Sequence, residues 1–265
     1  MRRTVSARLE LAIRDPAELA LQIAAAAGAR LDELLEVRLA GAHVAWREVA
    51  GAHGGRAHLL DVGRGRLTVA YTATVIGHDV PQACGEDERL VYLRPSRYAE
   101  SDRLAEVARR QFGGLTEAEE ILAAVSSWVG REIAYEAGSS LPTHGAVDTM
   151  LGGRGVCRDF AHLVAALLRA RDVPARVAAV YAPGLWPMDF HAVAEALVDG
   201  TWRVVDATLL APRSSLVRIA TGRDAADTAF LSVHGGTVDL IEIEVGAIVE
   251  GELPTDDPRE LVSLG

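Results

Sequence analysis

The stretch from Gly152 to Ala170 reads GGRGVCRDFAHLVAALLRA, and Asp172 to Thr208 reads DVPARVAAVYAPGLWPMDFHAVAEALVDGTWRVVDAT. Gly152, Gly153 and Gly155 form a flexible lead-in, after which Cys157 opens a helix. Phe160, Val164, Leu167 and Leu168 recur at helical spacing as far as about Ala170. A short strand follows over 175–181. Two further strands then flank Asp199-Gly200, a dipeptide that favours a two-residue type I′ hairpin.

The hairpin register is predictable. If Val198 faces Thr201 across the turn, His191 falls opposite Thr208 and Asp206 opposite Val193. Alternate residues repeat a face, so His191 and Asp206 share one. They are diagonal neighbours roughly 7–8 Å apart, within reach of long side chains. A carboxylate there can accept the imidazole N–H, fix the tautomer and favour the charged ring. A slip of one residue would separate them. Cys157 adds a thiol at the first turn of a helix, where the macrodipole favours an anion. The glycines before it let the chain turn and keep bulk away from sulfur. Cysteine, histidine and aspartate so placed form a nucleophilic acyl-transfer constellation.

Gly155-x-Cys157-x-Asp159-x-Ala161, then His191-Ala192-x-x-Glu195, then Trp202-x-x-x-Asp206-x-Thr208 resemble the transglutaminase-like superfamily of papain-type folds. The resemblance places the family's catalytic cysteine, histidine and aspartate at Cys157, His191 and Asp206. It implies an α+β papain-like transglutaminase core preceded by an N-terminal β-sandwich domain. It also implies a peptide or protein substrate, with hydrolysis as the leading activity and glutamine acyl transfer or a silent binding module as alternatives. Two positions depart from the pattern: Val193 stands where the family commonly has an aromatic residue, and Ala207 where a proline often follows the aspartate. The run Gly222–Asp227, GRDAAD, is similar to one the family carries after its aspartate.

The chain has 265 residues, 49% hydrophobic and 24% charged, enough for one large domain or two modest ones. A net charge of −10 argues against nucleic acid or an anionic membrane surface as partner. Cys84 and Cys157 are far apart and suggest no disulfide framework. The N-terminus is basic, but Glu10, Arg14 and Asp15 interrupt any apolar run, and 19–29 is too short to span a bilayer. A cytoplasmic protein is expected; the oligomeric state is not readable.

Residues 3–13, 33–39, 43–49, 56–62 and 66–77 read as short strands between glycine-rich turns, the last alternating most clearly. For 19–29 a strand is preferred to an alanine-rich helix. This β-rich region resembles the family's N-terminal domain, mainly through its last strand and the linker VYLRPSRYAESDRL. Boundaries are set at 1–92 for the β-sandwich, 93–250 for the catalytic domain, and 251–265 for a polar tail expected to fray. Helices are expected from about Arg103 to Phe112, capped by Ser101 or Asp102, and to about Val129 behind a Thr116/Glu119 capping box. A short helix over 146–151 leads into the glycines. Strands at 227–234 and 237–249 complete the pattern.

Other polar residues are assigned structural roles. His162 lies about 140° round the helix from Cys157. Asp159 complements the helix N-terminus, and Glu195 joins an ion pair. Cys84 has no nameable activator. His43, His53, His58, His78, His144 and His234 lack ligand spacing, so no metal is expected. The glycines lack the lysine and threonine of a phosphate loop, so no nucleotide or other cofactor is expected. There is no calcium loop of the D-x-D-x-D-G type. The backbone N–H of Cys157 is one oxyanion donor. Trp128 and Tyr135 are candidates for the second, and Trp186 for a groove wall.

Overall fold

A computed structural model describes residues 1–78 and 84–264. Three antiparallel sheets carry the architecture. The first has the order Val238–Val249, Arg2–Ile13, Gly65–Ile76, Arg30–Leu39, Ala42–His43. The second runs Leu231–His234, Ala17–Leu21, Arg56–Val62, Arg47–Ala50. Alternation in Arg2–Ile13 buries Val5, Ala7, Leu9, Leu11 and Ile13. These residues meet Leu19, Leu21, Leu60 and Val62 from the second sheet in one apolar core, as in a β-sandwich.

The third sheet has the order Thr201–Val205, His191–Val198, Ala175–Tyr181, Val217–Gly222. Its two faces follow the period of two. Val177, Ala194, Ala196 and Val205 join the helices Ala105–Phe112, Ala118–Glu132, Ala146–Gly152 and Cys157–Arg169 in a second core. Ala178, Val180, Val193 and Val204 point the other way, into a third. The Cys157–Arg169 helix, packed between its neighbours and the sheet, is buried over most of its circumference.

The hairpin register is as expected. Val198 pairs with Thr201 and the ladder continues to Ala194–Val205. Asp199 and Gly200 turn it with φ of 50° and 73°, as a type I′ turn demands.

Several expectations need correction. Residues 231–234 and 238–249, read as part of the catalytic unit, hydrogen-bond to Ala17–Leu21 and Arg2–Ile13. The chain therefore returns to complete the sandwich, an exchange between distant strands that no local pattern encodes. The strand expected over 19–29 stops at Leu21, and the one at 227–234 begins as the short helix Ala225–Thr228. Glu86–Val91 is a helix the sequence reading lacked. Neither expected cap forms: the helices start at Ala105 and Ala118 behind Leu104 and Glu117, without side-chain caps. Thr116 instead donates its hydroxyl to Glu117.

The tail does not fray. Val204 N–H donates to the Val262 carbonyl at 2.7 Å, and Ser263 Oγ donates to the Trp202 carbonyl at 2.9 Å. Leu264 is buried beside Val204 and Leu216. Asp256 accepts from the Arg213 guanidinium at 2.9 Å. The tail thus covers the open edge at Thr201–Val205, satisfying backbone groups an edge strand leaves free. Among the described residues, no helix is long and apolar enough to cross a membrane.

Candidate active site

His191 begins its strand and Asp206 follows the end of the next, so the hairpin delivers both to one end of the sheet. The imidazole Nε2–H donates to Asp206 Oδ2 at 2.8 Å, and both side chains are buried. The other carboxylate oxygen accepts from Thr208 N–H at 3.0 Å and Thr208 Oγ1 at 2.6 Å. Burial alone would lower the pKa of His191. The Asp206 carboxylate outweighs it, with Cys157 adding to the rise, and the ring is raised to about 10. Burial would raise Asp206, but the His191 charge and the hydrogen bonds prevail and lower it. The ring is therefore a cation at neutral pH.

Cys157 is the first residue of its helix and lines the same cavity as His191. With Nε2 held by Asp206, Nδ1 is the nitrogen left for the sulfur, and among the described residues it has no hydrogen-bond partner of ordinary geometry. Nucleophile–base contacts commonly tighten only once substrate is bound.

The helix start is built locally. Asp159 accepts the Val156 N–H at 2.9 Å, satisfying a donor no helical carbonyl can reach. A Cβ at Gly155 would lie 2.7 Å from the Asp159 Cβ, so only glycine allows this approach. Gly153 adopts the left-handed conformation, φ 63°, and ends the preceding helix.

The two-residue parallel pairing of Ala134–Tyr135 with Arg154–Gly155 sets Tyr135 beside the thiol. Its hydroxyl lies against the Cys157 backbone N–H. Burial, then the charges of Cys157 and Asp189, raise it to about 12, so it stays a donor. Trp128 does not reach the site; it packs edge-on against Phe112 in the helical core. Trp186 is 86% exposed and does not line the cavity.

The cavity measures about 690 Å³. Its far wall comes from Phe190, Ile219, Phe230 and Leu231, which the sequence reading missed. Three of these lie beyond Asp206 in poorly periodic sequence, where no local signal marks them as cavity wall.

The remaining residues have structural places. His162 Nε2 accepts the Ala225 N–H at 3.0 Å while its ring stacks on Tyr98. Burial holds its pKa at about 4, which keeps that nitrogen free to accept. His162 thus ties the central helix to the GRDAAD run. Glu195 is fully buried between Arg176 and Arg218, its oxygens 2.7–2.9 Å from their guanidinium groups. Burial would raise its pKa, but the arginines bring it down to about 2. Cys84 and Cys157 are both free; burial and Glu88 push the Cys84 thiol up. Among the described residues no cluster of three or more His, Cys, Asp or Glu could hold a metal ion.

The family model for the transglutaminase-like superfamily matches residues 105–207. A protein from Cytophaga hutchinsonii, described as a candidate cysteine protease, is 30% identical. Its solved structure aligns with a TM-score of 0.87 over 98% of this chain and 96% of that one. An uncharacterized protein of Mycobacterium leprae (strain TN) is 26% identical over 149 residues, 52% of each chain, so this chain spans about half its length. The periplasmic domain of TgpA from Pseudomonas aeruginosa is 19% identical, with 77% of this chain and 86% of that one covered at a TM-score of 0.43. The chain belongs to the transglutaminase-like superfamily, with its papain-like core and a β-rich N-terminal region.

Proposed function

We propose that the chain is a cysteine-nucleophile amide hydrolase acting on peptide or protein substrates through Cys157, His191 and Asp206. The observation that carries this reading is the His191 ring, held by Asp206 at 2.8 Å, in one cavity with a helix-start thiol. Cys157 Sγ, as thiolate, attacks the amide carbonyl carbon while the carbonyl oxygen takes up negative charge. As substrate enters, the backbone N–H of Cys157 turns from the Tyr135 hydroxyl to that charge, and the hydroxyl supplies a second donor. His191 then gives its proton to the departing nitrogen as the C–N bond breaks, leaving a thioester and an amine. Neutral His191 next takes a proton from water. The hydroxide so formed attacks the thioester, and the S–C bond breaks to give a carboxylic acid and the thiolate.

An amine in place of that water would give acyl transfer, and the same thioester serves both outcomes. The chemistry needs no cofactor. Two free cysteines suit a reducing compartment, so we place the protein in the cytoplasm.

Mass spectrometry of a glutamine- and isopeptide-containing library incubated with the protein and a primary amine tests this reading. Free acid is expected, with a quenched thioester on Cys157, and Cys157→Ala should give neither. Amine incorporation would replace hydrolysis by acyl transfer. A library left intact, with no adduct, would favour a silent binding module.

A further inference from the structure

The cavity extends well beyond the space an amide carbonyl needs, and its composition changes along its length. At the thiol end the lining holds Cys157, His191, Arg158 and Asp189. Arg158 is already engaged, donating to Ser140 Oγ and the Leu141 carbonyl at 2.7 Å, and Asp189 accepts the Phe190 N–H. The lining residues between Ile219 and Ser232 form the cavity's apolar part, and none of them is ionisable. Phe190 and Phe230 face each other there with ring centroids 5.4 Å apart, and Phe190 packs on Tyr181 at 5.5 Å. Both phenylalanines are only half-buried, so apolar ring surface is open to the cavity.

That surface cannot close on itself. Gln22 N–H donates to the Phe230 carbonyl at 3.0 Å, and its side-chain amide donates to the Asp227 and Ala229 carbonyls. Leu231 and Ser232 then pair with Ala20 and Leu21. The aromatic wall is thereby anchored to the β-sandwich, which supplies one side of the site. Preformed sites of roughly 300–1,000 Å³, mostly apolar with a few polar groups at one end, are typical binding clefts.

We propose that the apolar end of this cavity is a specificity pocket that takes a bulky uncharged side chain of the substrate, aromatic or long aliphatic, while the adjoining amide lies at Cys157. This rests on the thiol-nucleophile reading. Lysine, aspartate or glutamate side chains are excluded, because no group at that end would pair their charge.

N-substituted iodoacetamides test the pocket without knowledge of the natural substrate. Cys157 Sγ displaces iodide, an S–C bond forming as the C–I bond breaks, and the amide substituent probes the cavity. With rates normalised to glutathione, the N-phenethyl reagent is expected to alkylate Cys157 about tenfold or more faster than the N-aminoethyl and N-carboxymethyl reagents. Phe230→Arg should bring that ratio to within about twofold of unity, and Phe230→Ala should lower it about threefold. Each rate is divided by that of the unsubstituted reagent with the same variant, so that any change at the sulfur itself cancels from the ratio. A native ratio near unity, or one that survives Phe230→Arg, would overturn the pocket. If the ratio holds but unsubstituted iodoacetamide modifies Cys157 no faster than Cys84, the nucleophile reading fails and the pocket stands.

Discussion

Asp206→Asn is expected to lower kcat by roughly 10⁴-fold, the scale seen when a triad carboxylate is replaced by its amide. Three donors converge on the carboxylate: His191 Nε2–H on one oxygen, Thr208 N–H and Oγ1 on the other. An amide has one oxygen for them, so either the imidazole or Thr208 loses its acceptor. The greater loss is electrostatic. Burial lowers the pKa of His191, and Asp206 is the largest influence opposing it. With that charge gone, burial dominates and the ring is neutral at neutral pH. A neutral ring neither holds the thiolate nor protonates the leaving amine.

The sign for stability follows. The His191 pKa is raised, so its contribution is fully present below the unfolded value of 6.5 and is lost as pH rises through about 10. Asp206→Asn should abolish that alkaline decline. Turnover and urea stability across pH would show both effects, and a variant within about tenfold of native turnover would contradict the assigned role.

Glu195→Ala is expected to destabilise the fold by about 3–5 kcal/mol, the range for removing one partner of a buried ion pair. Arg176 approaches Glu195 from the adjacent strand and Arg218 from the strand beyond it, and Arg176 also pairs with Glu88 and lies over the Trp202 ring at 4.1 Å. Without the carboxylate between them, two cations face each other in a low-dielectric region. The Glu195 pKa is depressed, so its contribution is present above the unfolded value of 4.5 and lost as pH falls through about 2. The gap between native and variant should therefore narrow over that acid range. Urea midpoints at neutral pH, at unchanged slope, measure the effect, and a shift worth less than about 1 kcal/mol would contradict it.

Much of this was legible in the sequence where the determinants are local. The Asp199-Gly200 turn fixed the register, and the register alone put His191 and Asp206 on one face. The Cys157–Arg169 helix and the Ala175–Tyr181 strand announced themselves by periodicity. What stayed hidden depends on distant partners. Nothing near Val238–Val249 says that it pairs with the first strand, because that choice is made by edges about 230 residues away in the chain. Tyr135 gains its place from a two-residue parallel bridge, too short for any pattern. The tail was misread because its average polarity masked Leu261, Val262 and Leu264, which pack against the cores.

Alkylation of the two cysteines by iodoacetamide at about pH 6, followed by peptide mapping, tests the central claim most directly, since a thiolate reacts where an ordinary thiol does not. Cys157 should be modified well ahead of Cys84, whose thiol is pushed up by burial and Glu88. Its lead should vanish in Asp206→Asn. Equal labelling of the two cysteines in the native protein, or a lead that survives loss of the aspartate, would contradict the account.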